Sequence, residues 1–166
     1  MLRFLTLVRH AKSSWKDAAL DDADRPLNKR GKRDAPEMGK RLAKLGAKPS
    51  VIISSPAKRA RKTAWTIAQA LGYPRGKVVE RPAVYLATVD DLLSVLGGID
   101  KEIREVILVG HNPGITNLAN FLTGEDIYNI PTCGVARIRF EDDDWASLGP
   151  RSGKLELLDT PKSSGR

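Results

Sequence analysis

Strand-like and helix-like segments alternate along this chain from its first residues to about residue 122, which predicts an α/β domain built on a mostly parallel sheet. Two observations sharpen that reading. Short apolar runs at 4–8 (FLTLV), 51–53 (VII) and 106–109 (VILV) lack period-two alternation, as strands buried on both faces do. Each run ends in a chemically loaded turn: Arg9 and His10 after the first, SSPAKRARKT after the second, His111 and Asn112 after the last. Open α/β sheets place ligands at the carboxyl ends of their strands, and both histidines of the chain, His10 and His111, fall there.

Residues 15–26 lack periodicity and read as a loop over the end of the first strand, a place where loops often carry function. Asn28 predicts the N-cap of a helix over 29–45, with Ala35, Met38, Leu42 and Leu45 on one side and Gly46 at its end. Pro36 inside that span argues against it. The strand at 51–53 leads through Ser54, Ser55 and Pro56 into a helix over 57–71, stopped by Gly72 and Pro74. Val78 and Val79 begin a weaker strand. Residues 88–96 then read as a short helix with Leu92, Leu93 and Leu96 on its apolar side, ended by Gly97 and Gly98. The strand at 106–109 is followed by a helix from Pro113 through Leu122 that Gly124 closes.

Beyond that point the period becomes two. Ala136, Ile138 and Phe140 share one face of 135–140 and Arg137 and Arg139 the other, which predicts a strand with one face in water. Segments 145–148 and 155–158 read as short edge strands. No repeat or Gly-, Pro- or Ser-rich linker divides the chain, so residues 1–158 are expected to form a single domain, with 159–166 a frayed tail.

The 166 residues, 41% hydrophobic and 29% charged, have the composition of an ordinary globular domain with a proper core. The apolar start is interrupted at Arg9 and no run approaches a membrane span, so a cytoplasmic protein without membrane contact is expected. The single cysteine, Cys133, cannot make an internal disulfide, which agrees with a reducing compartment. The net charge of +8 is uneven: residues 1–62 hold 17 Lys and Arg against 6 Asp and Glu. Such a potential favours phosphates, an acidic protein surface or nucleic acid. The run from Lys29 to Arg33 also reads as a solvated helix face. It contains no aromatic residue to stack on a base, which disfavours nucleic acid.

If the three buried strands are parallel neighbours, their turns meet at one sheet edge and bring together two imidazoles and at least one guanidinium, from Arg59 or Arg61. That combination suits a phosphoryl group. Arginine's planar fork matches phosphate oxygens, the helix start at Ala57 offers free N–H groups, and a neutral imidazole can attack phosphorus. No acidic cluster with metal-ligand spacing lies near these turns, so no metal and no cofactor are expected. Cys133 and Arg139 fit the C-x5-R spacing of cysteine phosphatases. The residues between them alternate like a strand, however, and a structural cysteine is expected.

Four of these motifs resemble one family in order. LVRHAKSSW resembles the Arg-His signature of the histidine phosphatase superfamily, DRPLNKRGKRDA its Pro-Leu-x-x-x-Gly helix start, SSPAKRARKT its Ser-Pro-x-x-Arg-Ala-x-x-Thr element and VGHNPG its second histidine. The spacing over roughly residues 3–140 is similar to the SixA-type phosphohistidine phosphatases, without the helical insertions of the phosphoglycerate mutases. The resemblance implies a three-layer α/β/α sandwich with a mostly parallel mixed sheet and no metal. It also implies that His10 is phosphorylated and that Arg9, Arg59 and His111 bind the phosphoryl group, with Ser14 and Asn112 expected as further substrate contacts.

Two departures stand out. Ala11 replaces the family's usual glycine after the nucleophile. The general acid that many members carry is ambiguous among Glu80, Asp90, Asp91, Asp22 and Asp24, each of which also reads as a solvated carboxylate. An alkoxide leaving a phosphate ester needs a proton in the transition state, whereas imidazole, with a pKa of roughly 6.5, is a weak base and leaves readily. A site without a firm acid therefore suits a P–N bond. The expected partner is a phosphohistidine protein, then a small phosphate ester, and third a noncatalytic phosphate or RNA-binding module. His10 is expected to be neutral, so that a ring nitrogen has its lone pair, and His111 protonated, so that it donates to phosphoryl oxygen; nearby guanidinium groups lower both pKa values, so it is the bound dianion that keeps His111 charged.

Overall fold

The apolar runs become the middle of the sheet. In the computed structural model, which describes residues 1–141 and 144–162, six strands form one sheet: β1 (Leu2–Arg9), β2 (Val51–Ser54), β3 (Val79–Glu80), β4 (Glu105–Gly110), β5 (Val135–Glu141) and β6 (Gly153–Asp159). Their order is β3-β2-β4-β1-β5-β6. The first four are parallel, with Leu7 opposite Leu108 and Ile53 opposite Leu108 on the other edge of β4, while β5 and β6 are added antiparallel. A strand paired on both edges and covered on both faces is apolar along its whole length, which is why β4 shows no alternation.

The covers are four helices: α1 (Lys29–Leu45), α2 (Lys58–Ala70), α3 (Val89–Gly97) and α4 (Gly114–Thr123). Leu5, Leu7 and Leu108 pack with Leu92, Leu96, Ile115 and Leu118 in one core, and Val8, Ile52 and Val109 pack with Met38, Leu42, Ala64 and Ile67 in the other. Two cores on one sheet make the three-layer sandwich. Asn28 caps α1 by accepting from Gly31 N, and Gly46 ends it at φ 91°. Pro36 does not interrupt the helix. It lies on the exposed side, where water can satisfy the carbonyl its missing N–H would have bonded.

Three expectations are corrected. The second face of β5 is not in water: Arg137 is buried, its Nη1 donating to Glu105 at 3.1 Å and to Thr6 Oγ1 at 3.3 Å, with its guanidinium over the Phe4 ring. A period-two arginine can mark a buried ion pair as readily as a wet face, since burial requires only that the charge be matched. Segment 145–148 forms no strand. Trp145 instead anchors a loop in the core, its Nε1 donating to Ile103 O at 2.7 Å, as a buried indole requires. The chain also remains fastened past residue 158. Asp159 completes β6, and Arg41 Nη1 donates to its carboxylate at 3.2 Å and to Thr160 O at 2.8 Å. The rest of the expected tail, residues 163–166, lies outside the described residues. No described helix is long and apolar enough to cross a membrane.

Parallel pairing brings the ends of β1, β2 and β4 to one edge. The loop after β1 is clamped there against the start of α1: Asn28 N donates to Lys12 O at 3.0 Å, and a Cβ on Gly31 would sit 2.1 Å from that same oxygen. Gly31→Ala should therefore lower stability by about 1–3 kcal/mol, the usual cost of overpacking. It should also reduce activity by displacing the turn that follows His10. An unchanged urea midpoint would contradict the clamp.

Candidate active site

The parallel ladder continues beyond the strands. His10 N donates to Gly110 O and Ser55 N to Val109 O, each at 3.0 Å, so the three turns are bonded side by side. Between them lies Arg59, from the first turn of α2. Its Nε donates to His10 Nε2 at 3.3 Å and its Nη2 to His111 Nδ1 at 3.4 Å, while the two imidazole centroids are 5.2 Å apart. His10, Arg59 and His111 are 8%, 2% and 4% exposed, so these polar groups answer to one another rather than to bulk water.

Their partners determine the tautomers. His10 Nδ1 lies 2.8 Å from Ala11 O, which only accepts; Nδ1 therefore carries the proton and Nε2 the lone pair. At His111 the arginine donates to Nδ1, so Nε2 carries the proton and donates to Ser55 Oγ at 2.7 Å. Burial is the leading reason that His10 is lowered to about 4, with the Arg59 and Arg9 charges adding to it. Burial also leads at His111, lowered to about 3, followed by His10 and Arg59. The guanidinium groups lower both histidines as expected, and desolvation is the larger cause.

The rest of the Arg59 fork is held by the first loop. Nη1 donates to Asp22 O at 2.6 Å and Nη2 to Asp22 Oδ2 at 2.8 Å. The same carboxylate accepts from the Tyr85 hydroxyl and from Arg25 Nε, and the Tyr85 bond, followed by Arg59, holds Asp22 well below the usual carboxylate range despite partial burial. Tyr85 also sets its ring edge-on to His111 at 5.4 Å. Arg25 Nη1 donates to Ser13 Oγ at 2.7 Å, and the guanidinium lies 3.5 Å from the Trp15 ring centroid. Thr63 ties the two sides together, its Oγ1 accepting from Ala11 N and donating to Arg59 O. Ala11 itself is fully buried in the α1–α2 core, which accommodates the methyl group where the family usually has glycine.

Arg9 extends from the end of β1, and its Nη1 donates to Ile130 O at 3.1 Å. Its Nε is buried without a partner, a state that costs about 1–3 kcal/mol unless an acceptor arrives. An anionic oxygen would satisfy it.

The remaining sequence candidates separate cleanly. Ser14 Oγ accepts from Lys16 N in a local turn; Arg25 Nη1 donates to the Ser13 hydroxyl and only to the backbone oxygen of Ser14. The Asn112 amide is fully committed: Nδ2 donates to Asn129 Oδ1 and Ile130 O, and Oδ1 accepts from Thr116 N and Oγ1. It thereby holds the carbonyl that receives Arg9. Glu80, Asp90, Asp91 and Asp24 are exposed; Glu80 faces Arg61 at 3.8 Å, and Asp91 pairs with Thr88 to cap α3. Of the five carboxylates, only Asp22 touches the cluster. Cys133 is fully buried and its thiol is pushed up to about 12, chiefly by burial, so it offers no thiolate. Among the described residues no three His, Cys, Asp or Glu side chains gather as a metal site.

Sequence reasoning missed Ser55, Thr63, Arg25 and Tyr85. The first two stand one helical turn either side of Arg59 in SSPAKRARKT, and that spacing could have found them. No local pattern points to Arg25 or Tyr85.

Strand-end imidazoles around a buried guanidinium, with an unfilled arginine donor beside them, define an α/β protein suited to phosphoryl groups. Residues 5–83 match the model of the histidine phosphatase superfamily, branch 1, and the chain belongs to that superfamily. An uncharacterised chloroplastic protein of Arabidopsis thaliana is 36% identical to it, over 98% of this chain and 79% of its own. A candidate phosphohistidine phosphatase SixA from Agrobacterium tumefaciens superposes with a TM-score of 0.83 at 27% identity, covering 96% of this chain and 98% of that one. The protein histidine phosphatase SixA complexed with tungstate shares the fold at a TM-score of 0.81 and 20% identity, over 95% of this chain and 97% of its own.

Both imidazoles should be neutral at pH 6 in imidazole-edge NMR spectra of the free protein, with His10 gaining its proton only near pH 4. Unfolded histidines take up protons first as pH falls, near 6.5, so stability should decline between about pH 6.5 and 4 and recover on return to neutral. A protonated ring at pH 6, or a fold that strengthens across that window, would contradict the buried neutral pair.

Proposed function

We propose that the protein, a phosphatase by family, hydrolyses protein phosphohistidine through a covalent phosphohistidine on Nε2 of His10. One observation carries the choice of substrate. Among the described residues Asp22 is the one carboxylate touching the cluster, and it is held ionised by Tyr85, Arg59 and Arg25, so the resting site has no proton ready for an alkoxide. An imidazole leaving group has far less need of one. The phosphohistidine named for the Agrobacterium tumefaciens relative points the same way.

In this reading the incoming phosphoryl oxygens take the free Arg9 Nε and part of the Arg59 fork. Arg59 Nε then releases His10 Nε2, whose lone pair forms a P–N bond as the bond to the substrate ring breaks; that ring, protonated on its other nitrogen, takes the bonding pair and departs as neutral imidazole. The dianion raises the proton affinity of His111, so that Nδ1, which accepts from Arg59 in the free site, gains a proton and donates to phosphoryl oxygen. Water next attacks phosphorus, releasing inorganic phosphate and returning the electron pair to Nε2. Arginine and histidine supply the positive charge throughout, and no step calls for a metal. The free buried thiol fits a reducing cytoplasm.

A second reading follows from Asp22 itself. If phosphoryl oxygens displace its carboxylate from Arg59, that carboxylate loses its Nη2 donor, its proton affinity rises, and it becomes an acid for an ester oxygen. A turnover assay of a phosphohistidine protein beside a panel of small phosphate esters, with His10→Ala as the blank, separates the two. Faster turnover of esters would move that reading to first place, and hydrolysis surviving in the blank would remove both.

Acid-labile, base-stable labelling by a phosphoryl donor should appear on the chain and vanish in His10→Ala. Arg59→Ala should lower kcat by about 10²-fold or more, the usual loss of a charge-stabilising donor in a desolvated site. Glu80→Gln, Asp90→Asn and Asp91→Asn should each change turnover no more than a few-fold, and a drop as deep as that of Arg59→Ala would place the acid outside the first loop. A chelator should leave the rate unchanged.

A further inference from the structure

The reaction leaves one strongly charged surface unused. Lys58, Arg61, Lys62 and Trp65 follow one another at helical spacing along α2, and Lys58 directly precedes Arg59. At the far end three cations surround a single indole. The Arg75 guanidinium lies 3.7 Å from the Trp65 ring centroid, and the Arg61 guanidinium and Lys62 Nζ each lie 5.3 Å from it. Tyr73 secures the turn that carries Arg75, its hydroxyl donating to Lys77 O at 3.0 Å. Lys62, Trp65, Tyr73 and Arg75 line a depression of about 500 Å³.

Between residues 58 and 81 the chain holds seven Lys and Arg and one acidic residue, Glu80, which faces Arg61 at 3.8 Å. Among the described residues no carboxylate lies within 4 Å of Lys58, Lys62, Arg75 or Lys77. Clustered cations repel one another, so the fold keeps an uncompensated positive strip leading away from its phosphoryl site. A guanidinium stacked on an indole is held in place while its in-plane N–H donors remain available to carboxylates.

We propose that this strip, from Lys58 along α2 to Trp65 and Arg75, docks an acidic segment of the protein substrate. The proposal rests on the phosphohistidine-protein reading above and specifies how the protein part of that substrate is chosen. Trp65 lies seven positions along the helix from Lys58, about 10 Å, so an extended substrate reaches the indole cluster about three to five residues from its phosphohistidine. Acidic peptide is favoured over nucleic acid because the one indole in the strip already carries a guanidinium at stacking distance, which leaves no free platform for a base.

The test uses two synthetic phosphohistidine peptides that differ only in carrying Glu or Gln at the third to fifth positions on both sides. The wild-type protein should prefer the Glu peptide by about 10-fold in kcat/KM, through KM. That preference should collapse at about 0.5 M salt, where screening shortens the reach of the strip. The double variant Lys62→Glu/Arg75→Glu, and the milder Lys62→Gln/Arg75→Gln, should lose the preference while hydrolysing p-nitrophenyl phosphate at the wild-type rate. The unphosphorylated Glu peptide should shift the Trp fluorescence of the wild-type protein but not of Trp65→Phe, which reads docking without turnover. Equal kcat/KM for the two peptides would overturn the docking strip and leave the phosphohistidine reading intact. If neither peptide is hydrolysed while p-nitrophenyl phosphate is, the phosphohistidine reading fails. The strip then stands or falls on the fluorescence response alone, and a response to single-stranded RNA in place of the Glu peptide would overturn it.

Discussion

The guanidinium of Arg59 is almost fully buried, and a buried charge is tolerated only where its donors find acceptors and the surroundings carry compensating charge. Here Nε and both Nη groups meet His10, His111 and Asp22, so the three buried strands must end side by side and the first loop must fold back over them. The sheet order, with β4 between β1 and β2, satisfies the first requirement. The second is satisfied by the close approach of Lys12 to Gly31 and by the Thr63 hydroxyl, which joins Ala11 to Arg59. Strand order, loop closure and tautomer choice are consequences of accommodating one cation.

That arrangement also explains the resting state. Arg59 covers the lone pair of His10 and is itself covered by Asp22, while burial keeps both imidazoles neutral. A phosphoryl dianion answers each of these conditions together. It offers acceptors to the arginines, including the unfilled Nε of Arg9, and it makes a proton on His111 favourable. Among the described residues the free site is thus internally satisfied except at Arg9 Nε, which an anionic oxygen would fill.

Burial patterns were legible wherever a segment's environment was uniform. The unalternating runs at 51–53 and 106–109 became β2 and β4, and Asn28 and Gly46 bracketed α1, because apolar periodicity and capping are local properties. The reading failed where polarity was matched by a distant residue. Arg137 looked solvated because its partners, Glu105 and Thr6, are on other strands, and Trp145 looked like part of an edge strand because its acceptor is the carbonyl of Ile103.

The same boundary runs through the site. The sequence by itself determined that two histidines and Arg9 sit at the carboxyl ends of buried strands, with Arg59 or Arg61 following the second, since a strand's period and the turn after it are written in consecutive residues. Only the tertiary structure decided which carboxylate belongs to the site, that Tyr85 and Arg25 hold it ionised, and that the Asn112 amide faces inward to its own fold. Asp22 and Tyr85 are separated by 63 positions and meet through loops that neither residue's neighbours dictate. Proton affinity is set by such meetings, through burial and charge at a few ångströms, and no reading of adjacent residues contains those distances.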